Sequence, residues 1–542
     1  MHTRKIFAFI LTVLAATIMS PSAVFGQAEA GSITGTVRDA SGAVIAGATI
    51  TLKNVGTGAQ RTVQSGGAGQ YTITGVPPGT YEIDVTSGNF APYKTNAEVT
   101  VGGVATVDAQ LSTGQASTTV EVVAEGGAAV NTENQELSQI VNREQMAELP
   151  SLTRNPYDFV AISGNVSNGD RTATGGDQNT TGRGVGYAIN GQRTSGTEVL
   201  LDGIENVDLF TATTGQQVPL DSVQEYRVVT NNFDAQYGRA SGGVVNVSTK
   251  SGSNNVHGSL WEFNRLAAYT ANTYNNDAQN AFFRDTGGTG PDPAPKGGYT
   301  RNQFGFAVGG PIIKDKLFFF GSTEFLRVRS NASLSAYVPT PQLLATLPAN
   351  VQAYFAAYGA NNFTFSGVDP GTGFGLVNFS APADAGGDVP QNTYRIVGRF
   401  DFNATSKTQM FFRYALENVD KFKGADYASP YSQYDVGESS YNNSGLFSLN
   451  HSYSSNIFSN TKIGFSRLNF VNTYDKAAQN VPELLVTSGA SIGNTPIQLP
   501  RLVCAIRGHW GLAFWRSTKR VAIDARCFVG KRHAHHTLWR PL

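Results

Sequence analysis

The sequence predicts a mainly β chain in three unlike parts, and three observations carry that prediction. Glycine (60), phenylalanine (32) and tyrosine (21) are abundant among the 542 residues, while charged residues make up only 15%; such a composition favours strands and turns over helices. Residues 31–111 hold short alternating runs divided by turn signals. After Gly252 the runs lengthen to about ten residues, turn aromatic and keep a period of two. The length exceeds that of one ordinary domain. Beyond the N-terminus no run of about 18 apolar residues occurs, which excludes a helical membrane protein.

The N-terminus reads as a leader. Arg4-Lys5 precede an apolar run from Ile6 to Met19, followed by small residues to Gly26. A basic start, an apolar stretch of this length and small residues after it predict a secretory signal peptide over residues 1–26.

Seven strands are predicted next: Ser32–Asp39, Ala48–Val55, Gln60–Ser65, Gln70–Val76, Thr80–Thr86, Ala97–Val101 and Ala105–Leu111. The turns between them include Ala40-Ser41-Gly42, Gly66-Gly67, Pro77-Pro78-Gly79 and Gly102-Gly103. This spacing predicts a β-sandwich over 29–113. The phrases GSITGTVRDASGAVIAGATITL and GQYTITGVPPGTYEIDV resemble the carboxypeptidase regulatory-like domain. That resemblance implies a transthyretin-like or carbohydrate-binding-like sandwich, an accessory module without catalytic groups.

The chain is organised around Pro219 to Gly252. Tyr226–Thr230 and Val244–Lys250 read as strands joined by Tyr237-Gly238-Arg239-Ala240-Ser241-Gly242-Gly243, where glycines permit close backbone approach. This stretch resembles the end of the plug domain of TonB-dependent outer-membrane receptors, within the Oar-like group. The resemblance implies an α+β plug over 125–252. Asn142 is positioned to cap a short helix through Ala147, and Asn155-Pro156 to start another at Tyr157–Ile162. Gly164–Gly186 reads as a polar loop, with Tyr187–Gly191 and Glu198–Ile204 as strands beyond it. Asp202, Glu205 and Asp208 suggest a metal site less well than turn chemistry, since Asp202 precedes Gly203.

Between sandwich and plug, a Ser/Thr/Gly-rich joint leads into Thr119-Val120-Glu121-Val122-Val123-Ala124. In its place ahead of the plug, residues 117–124 resemble a TonB box. The resemblance implies that Thr119–Ala124 add a strand to TonB, the partner energised by an inner-membrane complex. A first plug strand or a plain linker would satisfy the same residues.

Seven long strands follow: Val256–Leu266, Thr300–Gly309, Leu317–Val328, Thr393–Phe402, Thr408–Leu416, Gly445–Tyr453 and Asn460–Phe470. Phe304, Phe306 and Val308 oppose Gln303, Gly305 and Ala307; Phe412 and Tyr414 oppose Arg413 and Ala415. Short connections (Gly310–Lys316, Asn403–Lys407, Ser454–Ser459) alternate with long ones, as turns and outer loops do in outer-membrane barrels. Residues 253–500 are therefore predicted to be the first part, about seven strands, of an antiparallel transmembrane β-barrel. A plugged lumen takes about 22 strands.

Residues 501–542 differ in flavour. They hold nine Lys/Arg against one acid, leaving 31 basic and 39 acidic residues in 1–500. Both cysteines (Cys504, Cys527) lie there too. Out-of-frame translation explains this segment best, ahead of a genuine basic tail or a metal knuckle, for which the paired ligand spacing is missing.

Function classes sort accordingly. Before the tail the histidines His2, His257 and His451 stand apart, without the spacing of a zinc peptidase. No Gly-x-Ser-x-Gly elbow or phosphate-binding loop occurs. No catalytic, metal or cofactor site is expected, and no nucleic-acid partner. The expected function is uptake of a ligand (ferric siderophore, oligosaccharide or peptide) across the outer membrane, with TonB and outer-membrane lipid as partners. The alternative is an exported carbohydrate-binding or adhesion protein working through its sandwich.

Overall fold

The structure is a computed structural model; it describes residues 30–113, 136–168, 186–208 and 214–473, apart from a few short stretches within them, and several strands between 484 and 541. The expected leader 1–26 and the expected docking segment Thr119–Ala124 lie outside the described residues.

The sandwich forms from eight strands: β1 (Gly31–Asp39), β2 (Thr49–Asn54), β3 (Gln60–Gln64), β4 (Gln70–Val76), β5 (Gly79–Thr86), β6 (Tyr93–Val99), β7 (Val104–Thr106) and β8 (Ala109–Leu111). One sheet sets β4, β7 and β8 around β1, and the other runs β3-β2-β5-β6. Alternate residues of each strand face inward, so Ile33, Ile50, Leu52, Ile73, Ile83 and Val85 make one buried core. The seventh expected run splits in two for a local reason. Val107 N–H donates to Thr34 O at 2.8 Å, and its carbonyl accepts from Tyr71 Oη at 2.7 Å. Asp108 accepts from Thr36 N–H at 2.8 Å, drawing the chain out of the ladder. A Cβ on Gly35 would strike the Val107 carbonyl, so this crossing requires glycine. The sixth strand starts and ends earlier than expected, because Tyr93–Val99 pairs with β5 and Val101 turns away.

The plug is a five-stranded sheet in the order β13-β12-β15-β14-β9. Its strands are β9 (Leu137–Asn142), β12 (Thr197–Leu201), β13 (Ile204–Glu205), β14 (Val223–Asn231) and β15 (Gly243–Thr249), and β10 (Val166–Asn168) pairs with β11 (Tyr187–Ile189) beside it. The polar loop expected from Gly164 thus opens with a strand. Asn142 caps the helix Arg143–Glu148 through a reciprocal capping box with Gln145, and Asn155-Pro156 starts the 3-10 turn Pro156–Ile162. β15 is buried along its whole length, as befits a central strand. The crowding expected of the glycines holds at Gly242 and Gly243, where a Cβ on Gly243 would lie 2.8 Å from the Val229 carbonyl, but not at Gly238, which faces open space.

All seven expected long strands form: β16 (His257–Leu266), β17 (Tyr299–Ile313), β18 (Leu317–Ser330), β22 (Asn392–Thr405), β23 (Thr408–Lys421), β24 (Gly437–Ser452) and β25 (Ile457–Thr473). Each pairs antiparallel with its neighbour, and the short turns gather at the Gly252 end. The long connection after β18 carries its own sheet of β19 (Ala332–Pro339), β20 (Gly367–Val368) and β21 (Phe374–Ala381). Beyond β25 the sheet continues through Trp515–Val529 and Ala534–Pro541, making an open nine-stranded arc. The seven strands expected over 253–500 are thus extended by two from the 501–542 segment, where no strand was expected. The 501–542 segment is atypical in composition, yet WRSTKRVAIDARCFV sets Val521, Ile523 and Ala525 in alternation with Arg520, Asp524 and Arg526, which suffices for pairing.

One face of the arc is apolar: Ile396, Phe400, Phe402, Phe412, Tyr414, Phe447 and Ile463 are exposed on it. The other face carries Arg395, Arg413, Glu417, Ser448 and Lys462, all buried against the plug. Val397 and Ala415 join Tyr157, Val199, Tyr226 and Val247 in one core, so the plug packs on the inner wall.

Candidate functional site

The inner wall and the plug meet through two buried charge centres. Strand alternation puts the wall's cations there, because Arg395, Arg399 and Arg413 each follow or precede an aromatic that faces the opposite way. Buried charges are tolerated only when paired and hydrogen-bonded, and every member here has partners.

The first centre is Asp202, in the turn between β12 and β13. Its φ of 50° and that of Gly203, 70°, make a tight left-handed turn that aims the carboxylate at the wall. Asp202 accepts from Thr249 N–H at 2.8 Å and from Arg413 Nε at 3.0 Å, with Arg399 Nη1 3.6 Å away. Its carbonyl accepts from Lys462 Nζ at 3.1 Å. Three cations from β22, β23 and β25 therefore converge on one plug residue. Arg413 goes on to Ser444 Oγ, which donates to Gln216 Oε1 at 2.8 Å. A Cβ on Gly464 would lie 2.6 Å from Ile204 Cδ1, so glycine lets β13 approach β25 this closely.

The second centre is Glu324 on β18, only 1% exposed. It accepts from Arg154 Nε at 3.2 Å, Gln303 Nε2 at 2.9 Å and Arg395 Nη1 at 3.5 Å. Arg395 Nε donates to Glu417 at 2.9 Å and its Nη2 to Gln217 Oε1 at 2.6 Å. Glu417 also accepts the Gln217 backbone N–H at 3.0 Å. Arg154 is a plug residue held at a φ of 56°, paired with Asp221 and stacked 4.3 Å from the Phe263 ring of β16. A left-handed backbone outside glycine marks a position fixed by its surroundings.

Sequence reasoning read Asp202 as a turn residue and missed its second task. It missed Arg154, Glu324, Arg395, Arg413 and Glu417 altogether, although a charge flanked by aromatics in a barrel strand was a readable signal. Glu205, grouped earlier with Asp202, instead pairs with Arg239 at 2.6 Å. At the outer end a pocket of about 360 Å³ is lined by Tyr299, Arg329, Gln391 and Phe422, among others. This arrangement holds the central sheet against the wall. Among the described residues no group of His, Cys, Asp and Glu could hold a metal ion.

Residues 248–505 match the family model described as an outer membrane beta barrel domain, and residues 32–112 match the carboxypeptidase regulatory-like domain. The TonB-dependent transporter Oar of Myxococcus xanthus is 27% identical over 340 residues, covering 62% of this chain and 30% of its own length. Among solved structures, the outer membrane transporter YddB of Escherichia coli aligns at a TM-score of 0.45 and 11% identity, over 74% of this chain and 47% of that one. The siderophore receptor PirA of Acinetobacter baumannii aligns at 0.41 and 16%, over 72% and 45%. With a sandwich, a charge-paired central sheet and outer-membrane barrel strands in this order, the chain is similar to the Oar-like TonB-dependent receptors of the outer membrane.

Proposed function

We propose that the chain serves ligand uptake across the outer membrane, driven by TonB from the periplasmic side. The observation that carries this reading is the plug sheet seated on the inner wall through Asp202–Arg413 and Arg154–Glu324. In this reading Thr119–Ala124 add a strand to TonB, and force along the chain draws on the plug. Buried ion pairs suit the task, because they hold firmly when intact and lose their worth once water enters. The ligand meets the outer loops first, near the pocket beside Arg329 and Phe422, where the guanidinium lies 5.0 Å from the ring.

The direct test measures binding of the TonB C-terminal domain to the full chain by calorimetry. Deleting Thr119–Ala124 is expected to abolish it, whereas unchanged binding would place the docking segment elsewhere.

A further inference from the structure

The sandwich does not hang free of the plug. Val101, at the turn after β6, is 1% exposed and gives both its backbone groups to plug side chains. Its N–H donates to Glu225 Oε1 at 2.8 Å, and its carbonyl accepts from Arg227 Nη1 at 2.6 Å. Glu225 and Arg227 sit two apart on β14 and so share a face of the plug sheet. Both are buried, a costly place for a carboxylate and a guanidinium unless something specific meets them. What meets them is the peptide backbone of another domain.

Three further contacts tie the sandwich to the short-turn end of the barrel strands. Asn254 N–H donates to Gly56 O at 2.9 Å near the start of the arc. Near its other side, Arg61 Nη2 donates to Ser452 Oγ at 2.9 Å, and the buried Phe458 ring occupies the space a Cβ on Gly75 would need. The sandwich thus reaches from before β16 to β25 at the short-turn end, beside the plug.

Arg227 joins this docking to the plug's edge. Its Nη2 donates to Glu136 at 2.7 Å and to Ser138 Oγ at 3.2 Å. Ser138 lies on β9, the outermost strand of the plug sheet, held by β14 alone. Moving β9 away would strip Arg227 of its carboxylate and loosen its hold on Val101.

We propose that the sandwich is a latch on the periplasmic side of the plug, closed by Val101 between Glu225 and Arg227 and opened by displacement of β9. The proposal rests on the transport reading for the source of that displacement, and it deepens the reading by naming what must give way first.

A disulfide tests it. A Cβ built on Gly56 lies 3.8 Å from Ser253 Cβ, the separation an unstrained disulfide requires. In the full chain with Cys504 and Cys527 changed to serine, Gly56→Cys with Ser253→Cys should cross-link almost completely under mild oxidation. Adding Glu136→Ala should slow the cross-link about tenfold, while Glu205→Ala, which frees the exposed Arg239, should leave it unchanged. No cross-link in the parent pair would overturn the docking itself, and this pair leaves the clamp residues intact. Equal rates with and without Glu136 would overturn the coupling to β9. A saturating TonB C-terminal domain should also slow the cross-link; an unchanged rate despite measured binding would overturn the release step. If calorimetry shows that TonB does not bind, the transport reading fails, and the latch stands or falls on the Glu136 comparison.

Discussion

Asp202 of the plug accepts a hydrogen bond from Arg413 Nε of the barrel wall at 3.0 Å, across 211 residues of sequence, and neither side chain is more than 2% exposed. The plug turn exists to place that carboxylate, and β23 exists in part to place that guanidinium. Around them Thr249, Arg399 and Lys462 complete the set of partners. A pair this dry holds its geometry strictly, because any single loss leaves a charge in a poor solvent. The same holds at the second centre, and the consequences can be measured.

Glu324→Gln keeps the shape of the side chain and removes its charge. Arg154 keeps Asp221 and Arg395 keeps Glu417, so the loss is partial. A destabilisation of about 2–3 kcal/mol is expected from weakened charged hydrogen bonds. Urea titration of the detergent-solubilised protein, followed by protease cleavage within the plug, reads it directly. A midpoint equal to wild type would remove Glu324 from the lock.

Stability should also depend on pH through Glu225. Burial raises its carboxyl from 4.5 to about 7, opposed by the Val101 N–H bond and by Arg227, and reinforced by Glu98. Because the folded value is raised, the folded state binds the proton more tightly. Its contribution is therefore greatest below about pH 4.5 and is lost as pH rises through about 7. The swing is on the order of 3 kcal/mol. Melting the full chain between pH 5 and 8 should show it, about these values, and Glu225→Gln should flatten the profile. An identical pH slope in that variant would contradict the assignment.

Much of this was legible in the sequence, and the reason is periodicity. The sandwich and barrel strands announce themselves by alternation bounded by turns, and the helix starts at Asn142 and Asn155-Pro156 by their caps. The strand Trp515–Val529 was overlooked because its basic composition outweighed its alternation. What the inward charges pair with was illegible for another reason. Asp202 and Arg413 are neighbours only because a sheet from one region lies on a wall from another, and no local pattern encodes such a meeting. Arg395, Arg399 and Arg413, each set among Ile396, Phe400 and Phe412, show which residues face inward but not what they face.

The outward face makes its own prediction. Phe400 and Phe412 point away from the plug on adjacent strands and are paired in register. Phe400→Arg should cost about 2–4 kcal/mol of folding into lipid vesicles, whereas Asn403→Arg, beside the short turn, should cost at most about 1. Equal costs at the two positions would mean that this face does not meet the bilayer.

The central claim is that plug and wall are held by buried charge, and a double-mutant cycle on Asp202 and Arg413 tests it most directly. Asp202→Asn and Arg413→Gln, singly and together, are followed by urea titration of the full chain in detergent. Each single change should cost about 3–5 kcal/mol, and the double should recover at least about 1.5 kcal/mol of the summed loss. Losses that simply add, to within about 0.5 kcal/mol, would show that the two residues do not interact and would contradict the account.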